Sequence, residues 1–192
     1  MSDSGDDLMS QLDKFKEDYY NTNSKNMFFK KSQKKDIAQK VSSNFDLEEL
    51  MKRTVFVIPN SHHIMFDYSV FKHYAHDDNY QEIIQYSRKL IYDCVQLHRN
   101  YVFHANINSL TITSIERHRK FIDIVNEIYA TSNDGLSEYF SQIYLYYPPS
   151  VMESIFAIIR PCMDANILNK VVVVSKKDSE EVYPQLLDKS RT

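Results

Sequence analysis

The residues best suited to chemistry gather in one stretch, SHHIMFDYSVFKHYAHDD (61–78). His62, His63, His73 and His76, with Asp67 and Asp77, combine imidazoles and carboxylates, the donor types of a zinc site. Their spacing matches no standard zinc motif. The stretch reads instead as a connection after a first strand, with its polar side chains exposed or hydrogen-bonded. Cys94 and His98 stand four residues apart on one helix, which would bring a thiolate and an imidazole close. Cys94 also lies on the apolar stripe of that helix, the place of a buried structural cysteine. His104 falls inside a strand and His118 on a helix surface, neither with a partner visible in the sequence. Only Gly5 and Gly135 are glycines. A phosphate-cradling Gly-rich loop and a dinucleotide fingerprint are therefore absent, because both need backbone that only glycine supplies. Neither a GxSxG elbow nor an HExxH or CxxC motif is present. The chain reads as a non-enzyme with no catalytic residue, metal or cofactor.

The totals set wider bounds. A chain of 192 residues holds one substantial domain with an extension. Apolar residues make up 43% and aromatics 13%, enough to build a core. A net charge of −3 gives no case for nucleic acid. Cys94 and Cys162 are too few for a disulfide framework and fit a reducing compartment. No apolar run approaches the roughly 20 residues of a membrane span, and the acidic start MSDSGDDLMS lacks the apolar segment of a secretory signal. A cytoplasmic protein, peripheral at membranes, is the expectation.

Residues 1–50 read as a charged, partly helical or flexible N-terminal extension, and 51–192 as the domain. Positions 1–20 carry six acids and two lysines, whereas 21–53 carry eight basic residues and four acids. Phe28, Phe29, Lys30, Lys31, Lys34 and Lys35 combine aromatic and basic side chains, a pairing that suits an anionic membrane surface. The same phenylalanines could instead dock on the domain.

The elements that would position these groups follow in order. FDLEELM (45–51) is a short helix. TVFVI (54–58) is a strand stopped by Pro59. Tyr80, Ile84, Ser87, Ile91, Cys94 or Val95, and His98 recur at helical spacing over about 20 residues. YVFHANI (101–107) is a strand, and Thr113 with Glu116 forms a capping box that opens a helix running to Tyr129. Its buried stripe is Ile115, Phe121, Ile122, Val125 and Ile128 or Tyr129. QIYLYY (142–147) and VVVV (171–174) are strands. Runs without alternation suit strands covered on both faces. The alternation of strand and helix predicts an α/β fold with a mixed, largely parallel sheet flanked by helices.

Between the last two strands lies PPSVMESIFAIIRP (148–161). Ser150 and Glu153 form a second capping box, and Pro161 ends the helix. Met152, Ile155, Phe156 and Ile159 share one face while Val151 and Ile158 occupy another. This is more apolar surface than packing on a sheet requires, and protein, a partner or a ligand must cover it.

The C-terminal half, roughly residues 50–175, resembles a CRAL-TRIO domain, the lipid-binding module of phosphatidylinositol-transfer, tocopherol-binding and retinaldehyde-binding proteins. Pro149 falls at the family's strand-ending proline, Pro161 at the proline ending the apolar helix, Met163 at a leucine, Asp164 at an aspartate and Lys170–Val171 at Lys-Ile. NINSLTI (106–112) aligns with a family strand of pattern Asp-x-x-Gly-Leu-Ser-Leu, with Asn106 for Asp and Ser109 for Gly. Tyr147 stands where the family has asparagine, and Cys162 where it has phenylalanine. The resemblance implies a C-terminally shortened, CRAL-TRIO-like fold and a non-catalytic module for a hydrophobic ligand. A phospholipid or similar lipid would be that ligand, with a transfer or membrane-targeting role. Met152, Ile155, Phe156, Ile159 and Met163 are the lipid-facing candidates it implies. A second reading keeps the fold as a protein–protein scaffold without lipid, acting as a homodimer or as an adaptor in small-GTPase pathways.

Overall fold

The computed structural model describes residues 4–23, 30–131, 135–163 and 165–190. Three helices lead in: α1 (Ser4–Thr22), α2 (Lys30–Asn44) and α3 (Leu47–Thr54). Then come β1 (Val55–Val57), β2 (His63–Asp67), α4 (Tyr68–Tyr74), α5 (Tyr80–His98) and β3 (Tyr101–Asn106). They are followed by α6 (Ile112–Arg117), α7 (Arg119–Thr131), a 3-10 turn (Leu136–Tyr139), β4 (Phe140–Tyr146) and α8 (Met152–Ile159). A 3-10 turn (Arg160–Cys162), the short α9 (Ala165–Leu168), β5 (Val171–Val173) and α10 (Lys176–Ser190) complete the chain.

The strands form one sheet in sequential order β1-β2-β3-β4-β5. The β1–β2 pair is antiparallel, and β2 to β5 run parallel, with Ile64 beside Phe103, Phe103 beside Ile143 and Ile143 beside Val171. This is the mixed, largely parallel α/β sheet that the sequence predicts. Parallel strands laid down in sequence with right-handed crossovers put every crossover on the same face. One face accordingly packs Val55, Ile64 and Phe140 against Ile91, Cys94 and Val95 of α5, and Ala105 and Leu145 against Met152 and Phe156 of α8. The opposite face, with Met65 and Tyr146, packs against Tyr183, Leu186 and Leu187 of α10.

The helices before the sheet join a shared core. Leu12 of α1 and Val41 of α2 are fully buried in the cluster that holds Tyr74 and Tyr80. Lys30 and Lys31 open α2, Lys35 pairs with Asp77 at 2.8 Å, and Phe28 and Phe29 lie outside the described residues.

Several local expectations are corrected. The stretch after β1 is no loop: His63–Asp67 is a strand inside the sheet, and Asp67 caps α4 by accepting the Ser69 amide at 2.7 Å. The helix beginning at Thr113 starts at Ile112, capped by Thr111, whose hydroxyl accepts the Ser114 amide at 3.1 Å. His118 interrupts it and separates α6 from α7. NINSLTI is not a strand, since β3 ends at Asn106 and a turn follows with Ser109 at φ +66°. The Ser150–Glu153 box does not form: the cap of α8 is Val151, with no side-chain bond. Pro148 and Pro149 lack donors, so the turn out of β4 is set by Tyr147, whose φ is +55° and whose amide donates to Ser179 Oγ at 2.9 Å. Asp164 lies outside the described residues.

Candidate functional site

Between the sheet and helices α5 and α7 lies a cavity of about 310 Å³. Phe66, Phe103, Ala105, Phe140 and Ile143 supply its floor from the strands. Ile84 and Ile91 of α5, Phe121, Val125 and Ile128 of α7, and Met163 and Ile167 of the β4–β5 connection supply its walls. The helices stand over this floor because their apolar stripes face the sheet. The lining is almost wholly apolar. Its polar members are Ser87, Arg88 and Asn126. Ser87 is satisfied within its own helix, its hydroxyl donating to the Ile83 carbonyl at 2.8 Å. The Asn126 side-chain amide is different: its Nδ2 is buried and has no hydrogen-bond partner. An unsatisfied buried amide costs about 1–3 kcal/mol, and an acceptor on a ligand is the natural way to relieve that cost.

Of the candidate lipid-facing residues, Met163 lines this cavity. Met152 and Phe156 pack with Ala105, Ile107 and Leu145, Ile159 lies against that cluster, and Ile155 is buried. Three residues partly link the two groups, because Phe66, Ala105 and Ile143 touch the α8 cluster and also form cavity floor. In the sequence, Phe121, Val125 and Ile128 look like an ordinary core stripe; Asn126, one residue along from Val125, is the one signal that something other than core faces them.

The histidine-rich stretch is divided among separate tasks. His63 and His104 meet at 2.8 Å, and His104 Nδ1 is 2.9 Å from the Tyr146 hydroxyl, a hydrogen-bonded row across β2, β3 and β4. The polarity that satisfies the hydroxyl has Tyr146 donating to His104 and His104 Nε2–H donating to His63. Burial, reinforced by neighbouring His63, lowers the His104 pKa to about 4, so the imidazole stays neutral. His76 bonds Ser42 at 2.8 Å, and buried His73 is lowered to about 4 by desolvation with help from Lys16 and Lys72. Among the described residues, no three His, Cys, Asp or Glu side chains converge as metal ligands. Cys94 is buried and His98 exposed, so the pair does not meet, and burial raises the Cys94 thiol pKa, away from a reactive thiolate. His118 is lowered to about 3 by burial and by Arg117. It accepts from Arg117 Nε at 3.2 Å, which leaves Nδ1–H to donate to the Tyr80 hydroxyl at 2.8 Å. No described helix is long and apolar enough to cross a membrane.

The arrangement can take up an apolar chain in a half-open cavity and offer one donor to its polar end. The family model described as CRAL/TRIO domain matches residues 25–191. Among solved structures, the crystal structure titled "Crystal structure of Sfh5" is similar, with a TM-score of 0.52 and 14% sequence identity. The similarity covers 86% of this chain and 62% of that one, so this chain spans less than two thirds of the Sfh5 length. The search of curated proteins returns no match.

Proposed function

The chain belongs to the CRAL/TRIO domain family, whose members are non-catalytic modules for small hydrophobic ligands, and from that premise we propose that it takes up a lipid by inserting a single hydrocarbon chain into the cavity over β3. The observation that carries this reading is the apolar lining with the unpartnered Asn126 Nδ2 at its wall. About 310 Å³ is at the small end of the roughly 300–1,000 Å³ of ligand sites. One acyl chain or a compact apolar molecule suits that volume; a phospholipid would keep its second chain outside. Phe66, Phe103, Phe121, Val125 and Met163 would touch the chain, and Asn126 would bond an ester, carboxyl or hydroxyl oxygen. Met152, Ile155, Phe156 and Ile159 would back the floor, so that movement of α8 changes the cavity's depth. Delivery at an anionic membrane through Phe28, Phe29, Lys30, Lys31, Lys34 and Lys35 would complete a transfer or targeting role.

Each methylene buried is worth about 0.8 kcal/mol, close to fourfold in affinity. Native mass spectrometry of delipidated protein with fatty acids of increasing length tests the reading. One ligand per chain is expected, with affinity rising roughly fourfold per added methylene and then levelling once the cavity is full. Affinity independent of chain length, or no uptake at all, counts against it and returns the fold to a scaffold role.

A further inference from the structure

A second concavity, of about 210 Å³, has the opposite chemistry. Lys16 of α1, Lys34 of α2, Lys72 of α4 and Arg117 of α6 line it, with the hydroxyls of Ser109, Thr111 and Ser114. It shares no lining residue with the apolar cavity. Among the described residues no aspartate or glutamate lines it, and no carboxylate forms an ion pair with Lys16, Lys72 or Arg117. The nearest opposing fields are those of Asp13 and Asp67 on Lys72.

Lys16, Lys72 and Arg117, gathered with no carboxylate in an ion pair, repel one another. Burial first, then Lys16, pulls the Lys72 pKa below its ordinary value. Lys72 Nζ donates to Ser109 Oγ at 2.8 Å, and Ser109 is held at φ +66°, a conformation that costs a non-glycine residue about 1–3 kcal/mol. Glycine would fill that turn without strain. A serine there sets a hydroxyl beside a lysine at the mouth of a basic pocket. Arg117 is aimed by its Nε–H bond to neutral His118.

We propose that this pocket, formed where α1, α2, α4 and the β3–α6 turn meet, binds a phosphate group. A tetrahedral dianion neutralises several cations at once and accepts from lysine, guanidinium and hydroxyl donors together. A single carboxylate would leave most of the charge uncompensated. The phosphate comes either from a soluble phosphorylated compound or from a lipid headgroup at a membrane.

Calorimetric titration of the full chain with inorganic phosphate and glycerol 3-phosphate tests the soluble source. Sedimentation with phosphatidylcholine vesicles, with and without phosphatidic acid, tests the lipid source. Lys72→Gln should weaken binding at least tenfold in whichever arm binds, while Lys177→Gln, an exposed lysine on α10, should change little. Ser109→Gly should weaken binding and raise the melting temperature, which separates a ligand role from a folding role. Soluble binding with this pattern assigns a free phosphorylated compound, and binding only to phosphatidic acid vesicles with this pattern assigns a headgroup. Binding in neither arm, or equal losses in Lys72→Gln and Lys177→Gln, overturns the proposal. Val125→Phe, in the other cavity, should leave phosphate binding intact.

Discussion

Asn126 is the residue on which the chemistry of the apolar cavity turns. Its Nδ2 is buried without a partner beside Val125 and Ile128. Replacing it by leucine keeps the size and removes the unsatisfied donor. Asn126→Leu should therefore stabilise the ligand-free protein by about 1–3 kcal/mol. It should also erase the preference for fatty acids over hydrocarbons of equal length. Urea unfolding with paired binding titrations checks both, and a destabilised variant with unchanged preference contradicts the role. Two other residues explain departures from the family pattern. Ser109 and Tyr147 stand where the resemblance sets glycine and asparagine, and both have positive φ. Those are the residue types most at ease in that region. This chain holds both turns with side-chain partners, Lys72 for Ser109 and the Tyr183 ring, 5.6 Å away, for Tyr147.

At the level of elements, α10 does work that its sequence conceals. KKDSEEVYPQLLDKS is polar, carries Pro184 inside the helix, and buries only Ser179 and Tyr183. Those two hold the helix to the sheet: Ser179 Oγ accepts the Tyr147 amide, and the Tyr183 ring lies 5.2 Å from that of Tyr146. Tyr183→Ala should cost about 3–5 kcal/mol, as large aromatic truncations in a core do, read by urea denaturation; a loss below about 1 kcal/mol would show that α10 is not part of the cooperative unit. Strand β2 is hidden for another reason. HIMFD has one β-branched residue and polar ends, so propensity argues against a strand that the sheet pairs on both sides. By contrast β3, most of β4 and α5 could be read directly, from the apolar segments YVF and IYLY and from the 3.6-residue period of α5. The two capping boxes misled because a serine or threonine with glutamate three residues on is a local signal. Thr111 and the Pro148–Pro149 turn decide the actual starts of α6 and α8.

For the whole molecule, the sequence conveys the sheet and its helical cover more readily than the cavity they enclose. Lining residues such as Phe121 and Val125 carry the same pattern whether they meet other side chains or a void. Only the tertiary spacing of α5 and α7 over the sheet decides between the two. Buried histidines give the molecule a distinct acid response. His73 and His104 are lowered to about 4 and His118 to about 3, against an ordinary value near 6.5. The unfolded chain therefore binds more protons than the folded one between those limits. Their contribution is fully present above about pH 6.5 and is lost as pH falls toward 4. Each histidine removes up to about 1.4 kcal/mol per pH unit in that window, so stability should fall steeply between pH 6 and 4 in denaturant melts. A flat profile there would mean that the imidazoles are already solvated. His104→Gln should flatten part of the slope.

The proposed function stands on the cavity over β3 being occupied by one hydrocarbon chain. Its most direct test is titration of delipidated protein with an environment-sensitive fluorescent fatty acid, wild type beside Val125→Phe. The added ring fills the void from α7 and leaves the rest of the fold in place. Saturable one-to-one binding by the wild type, weakened at least tenfold in the folded variant, is the predicted result. Equal binding by both proteins, or no saturable binding by the wild type, would contradict the account.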